Sequence, residues 1–101
     1  MKTLLNLTAA VLFSSLASVS FAGDAAAGKA KSMTCAGCHG KSGISSNSIW
    51  PNLAGQKQAY LASALQMYRD GRRKNAMMTA MAKNLTDADI ANLAAYYSSL
   101  K

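Results

Sequence analysis

Cys35-Ala36-Gly37-Cys38-His39 is the stretch on which the fold turns. Two cysteines three apart on a helix have Cβ atoms about 5–6 Å from each other. That is near enough to bond two substituents along one side of a flat macrocycle, and the next residue then aims its ring at a central metal. C-x-x-C-H is the spacing by which haem is attached covalently, with the thiols adding across two vinyl groups and the imidazole becoming an axial iron ligand. The chain has two cysteines and one histidine, and the pentad holds all three.

Three other chemistries compete for the motif. A thioredoxin-like redox pair depresses a thiol pKa at a helix N-terminus but belongs near a βαβ pattern, and no β-branched run here suggests one. A structural zinc site needs four Cys or His ligands, and the chain has three such residues. A disulfide would close a very small loop and leave His39 without a purpose.

Working outward, residues 1–22 read as a secretory signal peptide. Lys2 supplies the positive start, Leu4 to Leu16 is mostly apolar, and Ser20-Phe21-Ala22 ends in small-x-small. Asn6, Thr8, Ser14 and Ser15 break the apolar run, which argues against a spanning helix of ~20 apolar residues. No cysteine follows the cleavage point, which excludes a lipoprotein. Haem is attached covalently outside the cytoplasm, so leader and pentad agree on a periplasmic address. The remaining residues, 23–101, form one domain. Domains this short usually need a staple, and a covalently fastened apolar plate would be one.

The formal charge is +7, and without Lys2 ten basic residues face four acidic ones, a balance of +6. Haem propionates would lower it by about two. Such a charge suits redox proteins with acidic docking surfaces, met at rates that fall as salt rises. Nucleic acid is a poor match, because the basic residues are dispersed and the chain reads as exported. Plain solubility is the competing explanation of the lysines.

The pattern along residues 23–101 predicts an all-α domain. A first helix starts at the N-cap Asp24 and runs to about Thr34, with Gly28 inside it at a cost of ~1 kcal/mol unless close packing needs it. Residues 40–55 have loop composition. A second helix spans about Gln56 to Arg69, with Leu61, Ala64, Leu65 and Tyr68 as its buried stripe and Gly71 just past its end. Arg72 to Leu85 is a loop or a short irregular helix. Thr86 caps the last helix, with Asp89 in the capping-box position and Ile90, Leu93, Ala94, Tyr97 and Leu100 on its apolar face.

An iron held by one histidine has a second axial side. A thioether there raises the reduction potential, and it must come from a segment across the plate from His39. Met77, Met78 and Met81 all qualify by position. Met33 is too close to the pentad, and Met67 lies on a helix facing elsewhere. Methionine clusters are ordinarily core filler, and spacing alone does not choose among the three.

The chain resembles the class I c-type cytochromes, especially small bacterial monohaem carriers and single halves of dihaem periplasmic cytochromes. The resemblance rests on Gly23-Asp24…Gly28, Cys35 to Gly40, Pro51-Asn52-Leu53-Ala54-Gly55-Gln56, Tyr60-Leu61, Arg69-Asp70-Gly71, Met78…Leu85-Thr86-Asp87 and Leu93-Ala94-Ala95-Tyr96. It implies the cytochrome c fold, three main helices and loops wrapped around one haem c. By its spacing before Leu85-Thr86-Asp87, Met78 is the axial ligand, with Met81 second and Met77 third. The same resemblance implies that the Pro51 carbonyl accepts from the far ring nitrogen of His39, that Gly28 meets Tyr96 at a helix crossing, and that Trp50 packs at the haem edge. Arg72 or Arg73 would pair with a propionate, unless they are simply solvated.

The function implied is that of a soluble electron carrier between respiratory partners, neither an enzyme nor a binder of small substrates. The alternatives are a catalytic or gas-sensing haem with an open axial position, and a haem subunit held within a larger oxidoreductase. An open site would want distal hydrogen-bond donors, and the chain offers no second histidine.

Overall fold

The computed structural model describes residues 23–101; the segment assigned to the signal peptide lies outside them. Five helices follow in order, α1 (Ala25–Lys31), α2 (Met33–His39), α3 (Gln58–Arg69), α4 (Ala76–Ala82) and α5 (Asp87–Ser99). Every regular element among the described residues is helical, and none is long and apolar enough to cross a membrane.

Asp24 starts α1 by accepting from the Ala26 and Ala27 N–H groups at 2.9 and 3.3 Å. Its own N–H donates to Asn92 Oδ1 on α5 at 2.7 Å, which ties the first helix to the last. The expected helix from Asp24 to Thr34 is in fact two. Ser32 interrupts it, its hydroxyl donating to the Lys29 carbonyl at 2.6 Å. A serine that bonds back to the preceding turn competes with the helical ladder and bends it. Neither glycine nor proline marks the break, so composition gives no sign of it. The pentad thus rides on its own short helix, α2.

Helices α1, α3 and α5 make the frame, with α1 and α3 both packed on α5. At the α1–α5 crossing a Cβ on Gly28 would overlap the Asn92 carbonyl and stand 2.8 Å from Tyr96 Cβ. Gly28 is therefore a close-packing residue, and the ~1 kcal/mol of helix propensity it forgoes is offset by the approach it permits. The core cluster is Leu61, Leu93, Ala94, Tyr96 and Tyr97, with Leu100 only half-buried beside it. Tyr96 joins the buried set although the α5 stripe read from the sequence omitted it, because it covers Gly28.

Helix α5 has both halves of its capping box. The Asp89 N–H donates to Thr86 Oγ1, and the Thr86 N–H donates to Asp89 Oδ2, each at 3.0 Å. On α3, Leu61 is buried while Ala64, Leu65 and Tyr68 are half-buried. The segment expected as loop or irregular helix contains the regular α4, started by Asn75, whose side chain accepts from the Met78 N–H at 3.0 Å. Arg69 closes this segment at its two ends. It donates to Asp87 Oδ1 at 2.7 Å and to the Leu85 carbonyl at 3.3 Å, holding the end of α3 against the start of α5.

Candidate haem site

Helix α2 presents Cys35, Cys38 and His39 from consecutive turns, and Gly40 ends it with φ 86°. Left-handed φ favours glycine, and a Cβ there would run into the Ile44 carbonyl as the chain doubles back. Both cysteines are free and half-buried. Burial pushes the Cys35 thiol above its ordinary range, opposed by the Thr34 and Tyr97 hydroxyls and reinforced by Cys38.

His39 is only 6% exposed. Its Nδ1 lies 2.8 Å from the Pro51 carbonyl. A carbonyl only accepts, so Nδ1 carries the hydrogen and Nε2 keeps its lone pair for a metal, as second-shell acceptors commonly arrange. The loop that brings Pro51 there is itself well bonded. Leu53 and Ala54 donate to the Gly43 carbonyl at 2.8 and 3.0 Å. Asn52 Oδ1 accepts from the Ser45 N–H at 2.8 Å. The Trp50 backbone N–H donates to the Asn47 carbonyl at 3.1 Å. Pro51 is thus held between two anchored neighbours, and half-buried Trp50 stands next to it.

The three candidate methionines divide by helix face. Residues four apart share a face, and the two such pairs that hold these methionines differ in burial. Ala82 is 0% exposed and Met78, one turn before it, is partly buried. Met77 and Met81 are 56% and 48% exposed. Arg72 and Arg73 are engaged locally: Arg72 meets Asp70 at 3.4 Å, and the Arg73 guanidinium lies 4.8 Å from the centre of the Tyr68 ring.

The arrangement has the marks of a domain completed by a large apolar group. Ile44, Ile49 and Tyr60 are 53%, 74% and 50% exposed, and a domain this short usually needs a staple beyond its own core. An imidazole locked in the metal-binding tautomer stands beside two free thiols. Fold and site together define an all-helical domain built around one covalently held haem.

Comparison with known proteins agrees. The family described as Cytochrome c matches residues 25–101. The chain is similar to cytochrome c-554(548) of Halomonas halodenitrificans, 56% identical over 77% of this chain and 98% of that one. It is also similar to cytochrome c4 of Pseudomonas aeruginosa, 46% identical over 79% of this chain and 40% of that one. The crystal structure of reduced recombinant cytochrome c4 from Pseudomonas stutzeri superposes with a TM-score of 0.75 at 42% identity, covering 79% of this chain and 47% of that one. The chain therefore spans nearly all of one relative and less than half of the others. It belongs to the cytochrome c family, and its cofactor is haem c.

Proposed function

We propose that this chain is a periplasmic electron carrier in which Cys35 and Cys38 bind one haem through thioethers while His39 and Met78 hold its iron from opposite sides. The observation that carries the reading is the burial pattern of α4, on which Met78 shares the inward face with Ala82 and its two rivals face outward. When bound, the haem iron supplies a one-electron couple, and a thioether ligand favours its reduced form. The residues of the chain do the rest. Pro51 fixes the His39 tautomer, Asn75 sets the start of α4 and so the direction of Met78, and Arg69 holds the ends of the segment that carries it. Trp50, beside Pro51, is assigned to pack against the haem edge. With both axial positions taken, no place is left for a substrate, which separates a carrier from a catalyst or gas sensor.

The leader assigned to residues 1–22 and the extracytoplasmic attachment of haem support the periplasmic address. The basic balance of residues 23–101 supports partners with acidic docking surfaces, whose encounter rates fall as salt rises. Weak redox encounters bury less than ~1,200 Å², which suits a domain of this size. Substitution of the methionines one at a time tests the assignment. Met78→Ala removes the sulfur-to-iron charge-transfer band of the oxidised protein, while Met77→Ala and Met81→Ala keep it. Loss of the band in Met81→Ala with retention in Met78→Ala overturns the ligand assignment.

A further inference from the structure

Tyr97 carries the one buried side-chain nitrogen or oxygen among the described residues that has no hydrogen-bond partner, its hydroxyl. A buried hydroxyl left unpaired costs ~1–3 kcal/mol, so an orphan in so small a core wants an explanation. The ring cannot swing out to find water. Tyr97 is 3% exposed. Its carbonyl accepts from the Gly55 N–H at 2.9 Å, and its ring packs tilted on Tyr96 with centroids 5.1 Å apart. On the other side, a Cβ on Gly43 would lie 3.1 Å from Tyr97 Cδ1, so the ring occupies the space that this glycine leaves.

Cys35 packs against the cluster that holds Tyr97, and Cys35 and buried Ser32, at the α1–α2 break, both act on the Tyr97 hydroxyl. Neither completes a hydrogen bond to it, but both are near enough to influence it. Ser32 already donates to the Lys29 carbonyl. The Cys35 sulfur is the group that haem attachment changes. As a thiol it is both a weak donor and a weak acceptor. As a thioether it has lost its hydrogen and only accepts. Burial, the largest influence on Tyr97, drives its pKa up, so the phenol keeps its proton across the neutral range and has an O–H to donate.

We propose that Tyr97 donates its hydroxyl hydrogen to the thioether sulfur of Cys35 in the haem-bearing protein, and is thereby a positioning residue for that attachment. The inference rests on the assignment of Cys35 as an attachment residue. A donor on the sulfur draws electron density from the macrocycle, as hydrogen bonding around a cofactor does generally, and so favours the reduced state. The buried hydroxyl then has a use that the protein without its cofactor does not reveal: it sets the reduction potential from the side of the attachment and not from the axial ligands.

The test uses the purified haem-bearing protein and its Tyr97→Phe and Tyr96→Phe variants. Resonance Raman spectra in H2O and D2O read the carbon–sulfur stretches, and an equilibrium redox titration reads the potential. In the unsubstituted protein and in Tyr96→Phe, one of the two carbon–sulfur modes shifts in D2O. In Tyr97→Phe that isotope shift disappears and the midpoint potential falls, with the sulfur-to-iron band unchanged. A purely structural tyrosine would leave no isotope shift to lose. Absence of any D2O shift in the unsubstituted protein overturns the proposal even should Tyr97→Phe fail to fold, and so does an undiminished shift in Tyr97→Phe. A pyridine haemochrome spectrum of the unsubstituted protein checks the foundation separately: fewer than two thioethers defeats the attachment assignment itself, while two thioethers with no isotope shift defeats only the role of Tyr97.

Discussion

The two sides of the haem site are built on different principles. The His39 side is local and heavily cross-bonded: α2 holds three functional residues within five positions, and one carbonyl, that of Pro51, fixes the imidazole. The Met78 side is a seven-residue helix in the middle of a connection, held at its start by Asn75 and at the two ends of the connection by Arg69. One side follows directly on α1, whose crossing with α5 is the most closely packed part of the frame. The other hangs between exposed Asn75 and half-buried Arg69. On the proposed ligation, attachment would be the permanent part of the site and the Met78 sulfur the adjustable part, because local opening follows low burial and exposed hydrogen bonds.

Gly28→Ala tests that contrast with the largest effect. The new methyl meets backbone carbonyl and a buried tyrosine, so it costs about 3 kcal/mol, the upper end for overpacking. That is a large share of a stability of ~5–15 kcal/mol, and denaturant unfolding of the haem-bearing protein measures it. Because Ser32 and α2 follow α1 directly, the yield of attached haem falls with it. An unchanged midpoint would mean that the crossing relaxes at no cost and that the His39 side is not specially founded.

Arg69→Gln strikes the other side alone. Its partners Asp87 and Asp70 raise the Arg69 pKa, so the guanidinium stays charged throughout. Losing it unties the two ends of the α4 segment from each other, and the sulfur-to-iron band disappears several degrees lower on heating while global unfolding barely moves. Coincident loss of band and fold at the original temperature would show that the methionine side is no looser than the histidine side.

Asp89→Asn gives the smallest change. Asparagine keeps the acceptor for the Thr86 N–H and loses only the charge, which also meets Lys31 at 3.5 Å. The Thr86 backbone N–H is the chief reason the Asp89 carboxyl sits below its ordinary 3.8, with partial burial opposing it. A carboxylate depressed in the folded state contributes stability that is present above the unfolded value and lost as pH falls through the folded one. The variant is therefore less stable by under ~1 kcal/mol at neutral pH, and the gap closes as thermal melts are repeated below about pH 4. A gap that widened in acid would contradict the sign.

Much of this architecture was legible in the residues because its causes are local. The pentad needs no partner to be recognised, and Thr86 with Asp89 announces α5 from four consecutive positions. Three features were hidden for physical reasons. The break at Ser32 comes from one hydroxyl turned back on its own helix and leaves no trace in composition. Helix α4 is too short for periodicity to separate it from a loop, so three methionines stayed equivalent by spacing, and only the family resemblance favoured Met78 before the burial of Ala82 gave the helix an inward face. Tyr97 read as plain core, since an unsatisfied hydroxyl is a property of what surrounds it and not of its place in a stripe.

The central claim is that both axial positions of the iron are filled by the chain. Exposure of the reduced haem-bearing protein to carbon monoxide at neutral pH tests it most directly. The absorption spectrum stays unchanged if Met78 holds its place. Rapid conversion to a carbon monoxide adduct at low gas concentration would contradict the account and return the site to the class of open haems that bind or transform small molecules.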